Sequence, residues 1–264
     1  MTWWAIDVRT APDRREQVGA WLVARTGQAV EEREDGTLVA ELNRAEASPP
    51  KMSLRRLETV DWSIRWREGL GPKHFGRLTV TPSWVAGVDP INPCTVVLDP
   101  ESAFGSGEHG STRAALTLLE RHLRPGHRVL DLGSGSGILA IAAAKLGAAV
   151  AIGIEHDAES TPVAHRNADR NGVSDRVTFL EGEAGDLAPL LGPADLILSN
   201  ILRTANAALL PAIGAALERD GLAIFSGMEE MEAVDFRRSL GTAGFEVRDE
   251  AVDEGWWAVA ASHS

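Results

Sequence analysis

The stretch Val129-Leu130-Asp131-Leu132-Gly133-Ser134-Gly135-Ser136-Gly137-Ile138-Leu139 decides the fold. Apolar residues lead into an acid, three glycines follow at alternate positions, and small residues continue to Lys145. This order predicts a buried strand, a tight turn and the start of a helix. Glycines in such a turn let the backbone approach a ligand closely, because no Cβ is in the way. The free amide groups of the helix start favour electron-rich oxygens.

The spacing of the glycines separates two kinds of nucleotide-binding turn. In a dinucleotide fingerprint the third glycine follows three places after the second. Here Gly133, Gly135 and Gly137 are evenly spaced, and Ile138 occupies the position of that third glycine. The pattern resembles the nucleoside-binding turn of methyltransferases that use S-adenosylmethionine (SAM). The alternative is a glycine-rich strand-to-helix turn that binds nothing.

The composition is that of an acidic protein with a sizeable core. Of 264 residues, 44% are hydrophobic and 24% are charged, which suits one large or two small domains. The net charge of -12 argues against nucleic acid as the main partner and favours a basic, lysine-rich protein segment. Cys94 is the only cysteine, which fits a reducing cytoplasm. We expect no signal peptide and no membrane-spanning stretch.

Residues 1–46 have the pattern of a small separate α+β domain. We expect a strand from Trp3 to Val8, a helix that starts near Pro12 and continues to Arg25, and two strands flanking the turn Asp35-Gly36. Such a unit is too short to bury much surface alone. It is either a packing extension or a substrate-recognition domain, and its residues favour neither interpretation.

A linker is expected next. Ala47-Ser48-Pro49-Pro50 has linker composition, and the spacing of apolar residues from Met52 to Arg67 predicts a helix. This assigns 47–69 to a linker helix and 70–264 to the main domain. Most of the eight tryptophans are expected to fill the core or contacts between domains.

A turn-rich segment from Asp99 to Arg113 precedes a helix that runs towards Leu123. Ser111 or Thr112 is suited to cap that helix. The functional interpretation is a flap over a cofactor pocket, with polar groups at its helix start facing the ligand. The alternatives are that Thr112 is only a cap and that His109 only makes loop hydrogen bonds.

Strands alternate with helices from residue 128 onward, which predicts a doubly wound, mostly parallel sheet. Ligands of such sheets bind outside the carboxyl ends of the strands. Glu155 ends the second strand, 22 residues after Gly133, and is suited to accept hydrogen bonds from both ribose hydroxyls. Glu183 and Ala184 follow the third strand, where an adenine edge would lie, and Asn200 ends the fourth.

Together these features resemble the PrmA family of methyltransferases, which modify the stalk protein L11 of the large ribosomal subunit. The likeness is most specific over residues 99–205. It rests on the flap Phe104-Gly105-Ser106-Gly107-Glu108-His109, the pair Ser111-Thr112, the glycine turn and the motif Asn200-Ile201-Leu202. It implies a seven-stranded Rossmann-like SAM-dependent methyltransferase domain behind a small N-terminal recognition domain. We expect a cytoplasmic monomer that does not bind nucleic acid directly.

The resemblance also implies the residues of the site. The family's main cofactor contacts correspond to Thr112, Gly133, Glu155 and Asn200. Further candidate contacts with SAM or its product S-adenosylhomocysteine are Phe104, Gly105, Gly107, His109, Ser134, Gly135, Glu183 and Ala184. Asn200 is the catalytic candidate, because its side-chain oxygen is suited to accept the hydrogens of a lysine or N-terminal amine and aim its lone pair. The alternative is an ordinary turn residue after a strand.

Three positions depart from the family pattern. Glu155 stands where aspartate is commoner, Ser134 where cysteine is frequent, and Gly110 where proline is frequent. The N-terminal domain is also short, which affects the identity of the substrate more than that of the cofactor. Two alternatives stay open: a related methyltransferase acting on another lysine or a small amine, and a non-catalytic SAM-binding module. We expect no metal site, because no ligand spacing is present.

Overall fold

The computed structural model describes residues 4–9, 18–19, 22, 30–32, 37–42, 52–56, 71–85, 92–98 and 107–263. The chain divides into two units, residues 1–70 and residues 71–264. The four-stranded sheet belongs to the first unit, and the seven-stranded and three-stranded sheets belong to the second.

The first unit contains a four-stranded antiparallel sheet in the order β2-β3-β1-β4. Its strands are β1 Trp4–Arg9, β2 Val30–Glu32, β3 Thr37–Leu42 and β4 Met52–Arg56. Residues 18, 19 and 22 are helical and lie between β1 and β2 in the chain. The predicted order of strand, helix, strand and strand is therefore confirmed by the described residues up to Leu42.

The predicted linker helix is wrong at its start. Residues 52–56 form β4, which pairs with β1 from Met52 opposite Val8 to Arg56 opposite Trp4. The apolar Met52 and Leu54 are two residues apart, a spacing that also fits a strand. The edge of β1 offers backbone partners along the whole segment, so tertiary pairing prevails over local helix preference. Residues 47–50 and 57–67 lie outside the described residues.

The second unit is built on a seven-stranded sheet in the order β10-β9-β8-β11-β12-β14-β13. Its strands are β8 Arg128–Leu132, β9 Val150–Glu155, β10 Val177–Glu181, β11 Ala194–Asn200, β12 Leu217–Glu229, β13 Phe245–Asp253 and β14 Trp256–His263. The strands from β10 to β12 are parallel, and β14 lies antiparallel between β12 and β13. The predicted doubly wound sheet is confirmed.

Helices cover both faces of this sheet. They are α1 Gly110–His122, α2 Ile138–Leu146, α3 Ser160–Arg170, α4 Ala184–Leu191, α5 Arg203–Ala216 and α6 Ala233–Thr242. One buried cluster joins the sheet to α1, α2 and α3, and another joins it to α4, α5 and α6. In β8, Val129 belongs to the first cluster and Leu130 to the second, which explains why consecutive residues of this strand are apolar.

A small sheet precedes the flap in the chain. It contains β5 Lys73–Phe75, β6 Leu78–Thr81 and β7 Thr95–Val97. The Asn171 side chain, at the end of α3, accepts from Val97 N at 2.7 Å and donates to Val97 O at 2.8 Å. This pair of bonds fixes the end of β7 to the main domain. Among the described residues, no helix has both the length and the apolarity to cross a bilayer.

Candidate functional site

A cavity of about 990 Å³ lies where the carboxyl ends of β8, β9, β10 and β11 meet. Its walls include most of the predicted site residues: His109, Gly133, Ser134, Gly135, Glu155, Glu183, Ala184 and Asn200. These residues come together because parallel strands end at the same edge of the sheet. The volume is in the range of pockets that enclose a nucleoside-sized ligand.

The glycine turn after β8 forms the floor of this cavity. Gly133 and Gly137 have φ of 71° and 80°, a conformation that favours glycine. A Cβ at Gly133 would also lie 2.6 Å from the Ile201 side chain. Ser134 is buried, and its Oγ has no hydrogen-bond partner among the described residues. The turn therefore presents backbone and one free hydroxyl to the cavity.

Glu155 joins the end of β9 to the glycine turn. Its carboxylate accepts hydrogen bonds from Gly135 N at 2.8 Å and from Asp157 N at 3.0 Å. The exposed ring of His156 lies 3.3 Å from the same carboxylate. A carboxylate can accept about four hydrogen bonds. The two from backbone N–H groups orient Glu155 and leave capacity for two further donors. This arrangement suits a ligand that offers a pair of hydroxyl groups.

Asp131 also lines the cavity, although the sequence analysis gave it no role. It is buried on β8, and its Oδ2 accepts from Ala140 N at 3.1 Å. Burial raises the pKa of Asp131 to about 7; the bond from Ala140 opposes this rise and the charge of Glu155 adds to it. The acid before the first glycine was the available signal in the sequence.

We expect Asp131 to make stability depend on pH. Its folded pKa lies above the ordinary value of 3.8, so the protonated carboxyl favours the folded state. That contribution is complete below pH 3.8 and is lost as the pH rises through about 7. The free energy of unfolding of the wild type should therefore fall relative to Asp131→Asn over this range, by on the order of a few kcal/mol. Urea titrations of both proteins at several pH values measure the free energies of unfolding. A difference between the two proteins that does not change with pH would contradict the prediction.

Asn200 is paired with a residue from the flap helix. Its Nδ2 donates to Thr112 Oγ1 at 3.2 Å, and both side chains come from elements 88 residues apart in the chain. The Asn200 Oδ1 atom is buried and has no hydrogen-bond partner among the described residues. A buried acceptor without a donor is costly, so this atom is best satisfied by a donor on a ligand. Thr112 does not line the cavity and instead orients the Asn200 amide.

A buried network holds the turn after Asn200. Asn206, on α5, donates from Nδ2 to Ile201 O at 3.0 Å and to Ser226 O at 2.9 Å. Its Oδ1 accepts from Ser199 Oγ at 2.7 Å. One fully buried side chain therefore links β11, β12 and the turn, and this makes the position of Asn200 rigid.

The flap prediction needs one correction. α1 begins at Gly110 with His109 as N-cap, and no side chain caps it, so the prediction that Ser111 or Thr112 caps the helix is wrong. The hydroxyl of Ser111 instead lies 2.7 Å from His109 Nδ1. His109 and Ser111 line the cavity, whereas Gly107 is buried and does not line it. Phe104 and Gly105 lie outside the described residues.

Trp256 is a wall residue that the sequence analysis missed. Its ring packs on His109 with 4.1 Å between centroids, whereas the next residue, Trp257, is buried in the core. Consecutive strand residues face opposite sides, so this alternation was the available signal. Arg113 anchors the turn before Trp256, donating to Asp253 Oδ1 at 2.9 Å and to Glu254 Oε2 at 2.5 Å.

The same turn explains a glycine in the flap. A Cβ at Gly110 would lie 2.6 Å from Trp256 Cδ1 and 2.7 Å from Asp253 O. The start of α1 and the β13–β14 turn therefore pack too closely for any side chain at this position. Among the described residues, no group of three or more His, Cys, Asp or Glu side chains is arranged to hold a metal ion.

Comparison with known proteins gives consistent results. A family model described as "Ribosomal protein L11 methyltransferase (PrmA)" matches residues 23–264. A ribosomal protein L11 methyltransferase from Pelotomaculum thermopropionicum is 36% identical over 98% of this chain and 83% of its own length. The protein of the same name from Thermus thermophilus is 42% identical over 76% of each chain.

A solved structure is similar as well. The crystal structure of ribosomal protein L11 methylase from Lactobacillus delbrueckii subsp. bulgaricus has a TM-score of 0.66 and 30% sequence identity. The match covers 74% of this chain and 99% of that one. Similarity in sequence and in fold thus extends over most of the chain.

Proposed function

The chain belongs to the ribosomal protein L11 methyltransferase (PrmA) family, and from this membership we propose that it transfers methyl groups from SAM to amino groups of ribosomal protein L11. The acceptors are lysine side chains, the N-terminal amine, or both. We place the protein in the cytoplasm, acting as a monomer without direct contact to nucleic acid, since its net charge of -12 repels phosphates.

The single observation that carries this proposal is the buried, unpartnered Oδ1 of Asn200 at the cavity wall. An amine donates N–H groups, and the free oxygen accepts them. The side-chain nitrogen of Asn200 donates a hydrogen bond to the Thr112 hydroxyl. The side-chain oxygen is therefore the atom that faces the acceptor amine. A site that only stores SAM has no need of this arrangement.

The remaining cavity residues suit the methyl donor. Glu155 has acceptor capacity for the two ribose hydroxyls, and the turn from Gly133 to Gly135 offers close backbone approach. The free Oγ of Ser134 supplies one more polar contact. Glu183 and Ala184, at the start of α4, are assigned to the adenine edge. Gly107 is not among the cavity residues, so its predicted contact with the donor is not part of this assignment.

SAM supplies a methyl carbon made electrophilic by the positive sulfonium, so the chain's residues mainly have to align the acceptor. Alignment of nucleophile, carbon and leaving group accounts for a large part of the acceleration in such reactions. The amine must first lose a proton, because an ammonium has no lone pair. A desolvated site lowers the pKa of that amine, and water takes the proton. Asn200 then holds the neutral amine through its hydrogens, and the rigid network around Asn206 keeps Asn200 in place.

The proposal is tested by intact-mass spectrometry of purified L11 incubated with this protein and SAM. We expect the mass of L11 to rise in steps of one methyl group replacing one hydrogen. An unchanged mass of L11 contradicts the proposal. Labelled SAM incubated with a whole-cell lysate then shows whether another protein or a small amine accepts the methyl group.

Gly227 should be required for alignment of the acceptor. It has φ of 85°, and a Cβ there would lie 2.2 Å from the Ile201 carbonyl oxygen, which follows Asn200 directly. Gly227→Ala must therefore push the Asn200 turn away by about 1 Å, which we expect to lower kcat at least ten-fold. The strained φ should also cost about 1–3 kcal/mol of stability.

The control for Gly227→Ala is Gly241→Ala on α6. No atom lies within 4 Å of a Cβ at Gly241, and its backbone is helical, so stability should rise slightly and kcat should stay constant. Steady-state kinetics and urea unfolding measure both effects. Equal kcat values for the two variants would refute the role of Gly227.

A further inference from the structure

Three exposed apolar side chains lie beside the cavity. Leu202, Met231 and Val234 have relative exposures of 74%, 82% and 63%. The other large apolar side chains exposed on the described surface are Trp84, Val150, Leu190 and Val252. Exposed apolar side chains that are grouped, unlike those scattered singly, mark a contact surface. We refer to Leu202, Met231 and Val234 as the apolar lip.

The segments that carry the apolar lip are held side by side. Arg203, next to Leu202, donates from Nε to Glu232 Oε1 at 3.0 Å. Glu232 lies between Met231 and Val234 in the chain, and its other oxygen accepts from Glu229 N at 3.0 Å in a capping box. The apolar lip is therefore a fixed feature of the surface that needs no rearrangement before binding.

The apolar lip continues the wall of the cavity on two sides. Leu202 itself lines the cavity and follows the catalytic candidate Asn200 by two residues. Glu230 N donates to Gly255 O at 2.8 Å, which places Met231 next to the turn that carries the wall residue Trp256. A substrate polypeptide that brings its amine to Asn200 from this side of the cavity must pass over the apolar lip.

The border of the apolar lip is acidic. Glu229 and Glu230 are exposed, and Glu232 is half-buried and paired with Arg203. The charge of Glu229 and Glu230 has the same sign as the net charge of -12 of the whole chain. An apolar centre with an acidic border is complementary to a polypeptide whose apolar residues are flanked by lysines.

We propose that the apolar lip is the docking surface for the segment of the protein substrate that carries the target amine. Apolar residues beside the amine pack on Leu202, Met231 and Val234, and nearby basic residues face Glu229 and Glu230. This inference rests on the proposed function, since it takes the acceptor amine to belong to a protein. It gives the main domain a part in selecting the substrate.

The test is the double variant Met231→Ser/Val234→Ser, which leaves every cavity residue unchanged. We expect the Kd for L11, titrated in the presence of S-adenosylhomocysteine, to rise about ten-fold because apolar contact is lost. The affinity for SAM should not change. Glu230→Lys should weaken L11 binding at low salt concentration. At high salt concentration it should have no effect, because salt screens the interaction between exposed charges on the two proteins.

The matched control is Leu190→Ser. Leu190 is 78% exposed and lies near the end of α4, away from the helix start that lines the cavity, so its replacement should not change the Kd for L11. An unchanged Kd in the double variant would overturn the docking surface. So would a dimer of the wild type, detected by sedimentation, that dissociates in the double variant.

If the proposed function is wrong, the mass spectrometry and the binding titrations give a different combination of results. In that case the wild type leaves the mass of L11 unchanged, whereas the binding titrations are still measurable. Wild-type binding of L11 that is ten-fold tighter than binding by the double variant would support the docking surface even then. Binding no tighter than that of the double variant would overturn it.

Discussion

Replacing Asn200 with alanine should lower kcat for methylation of L11 by about 100- to 1000-fold, the loss typical when one aligning or stabilising group is removed from a reaction centre. The affinity for SAM should change little in comparison. The physical reason is the free Oδ1 of Asn200, which is buried at the cavity wall and has no donor among the described residues. Without it, the amine is no longer held with its lone pair aimed at the methyl carbon.

A companion pair of variants tests how Asn200 is oriented. Thr112 accepts from Asn200 Nδ2 at 3.2 Å and is fully buried. Thr112→Val removes the hydroxyl and should lower kcat by about ten-fold, which corresponds to the free energy of one buried hydrogen bond. Thr112→Ser keeps the hydroxyl and should keep most of the wild-type kcat. If Thr112 only filled space, Thr112→Val would have a kcat at least as high as that of Thr112→Ser, because valine keeps the shape of threonine and serine lacks its methyl group.

Single-turnover kinetics with saturating SAM measure the chemical step, and equilibrium titration measures SAM binding. Asn92→Ala is the matched control, because Asn92 makes its side-chain bonds within the small sheet of β5, β6 and β7. Its kcat should equal that of the wild type. If Asn200→Ala methylates L11 at the wild-type rate while it still binds SAM, the aligning role of Asn200 is refuted.

Replacing Glu155 with alanine should raise the Kd for SAM by at least about 100-fold. Two hydroxyl groups donating to a carboxylate contribute about 1.5–3 kcal/mol each, and 1.4 kcal/mol corresponds to ten-fold in affinity. Part of the loss also comes from the glycine turn, because Glu155 holds Gly135 N at 2.8 Å. Glu155→Asp keeps the carboxylate on a shorter side chain and should lose only a few-fold in affinity.

The matched control for Glu155 is Glu181→Ala. Glu181 ends β10, directly opposite Glu155 in the parallel register, but it is exposed and does not line the cavity. Isothermal titration with SAM and with S-adenosylhomocysteine should show no change in this variant. An unaltered SAM affinity in Glu155→Ala would show that the ribose assignment is mistaken, and urea unfolding of each variant checks that the fold is intact.

The sequence was sufficient for the main sheet. Strands alternating with helices were expected from residue 128 onward, because buried parallel strands are continuous apolar runs separated by helices and by glycine turns. The cavity at the strand ends followed from the same reasoning, since Gly133, Glu155 and Asn200 each come directly after a strand or end one. Their contacts with a bound donor and acceptor remain predictions.

Local pattern was insufficient where a segment fits two structures. The run from Met52 has apolar residues at spacings that suit a helix or a strand, and only pairing with β1 decided for β4. The start of α1 was likewise decided by packing, because the β13–β14 turn meets the chain at Gly110. In both cases the partner segment lies more than 40 residues away in the chain, so the local sequence pattern cannot predict the contact.

In the main sheet, the sequence by itself determined the order of strands and helices, the glycine turn and the residue types at the strand ends, because these depend on periodicity and turn chemistry within a few residues. Only the tertiary structure decided that Thr112 orients Asn200, that Trp256 rather than Trp257 faces the cavity, and that Leu202, Met231 and Val234 form one surface. Each of these depends on strand register and helix packing, where a shift of one residue turns a side chain to the opposite face.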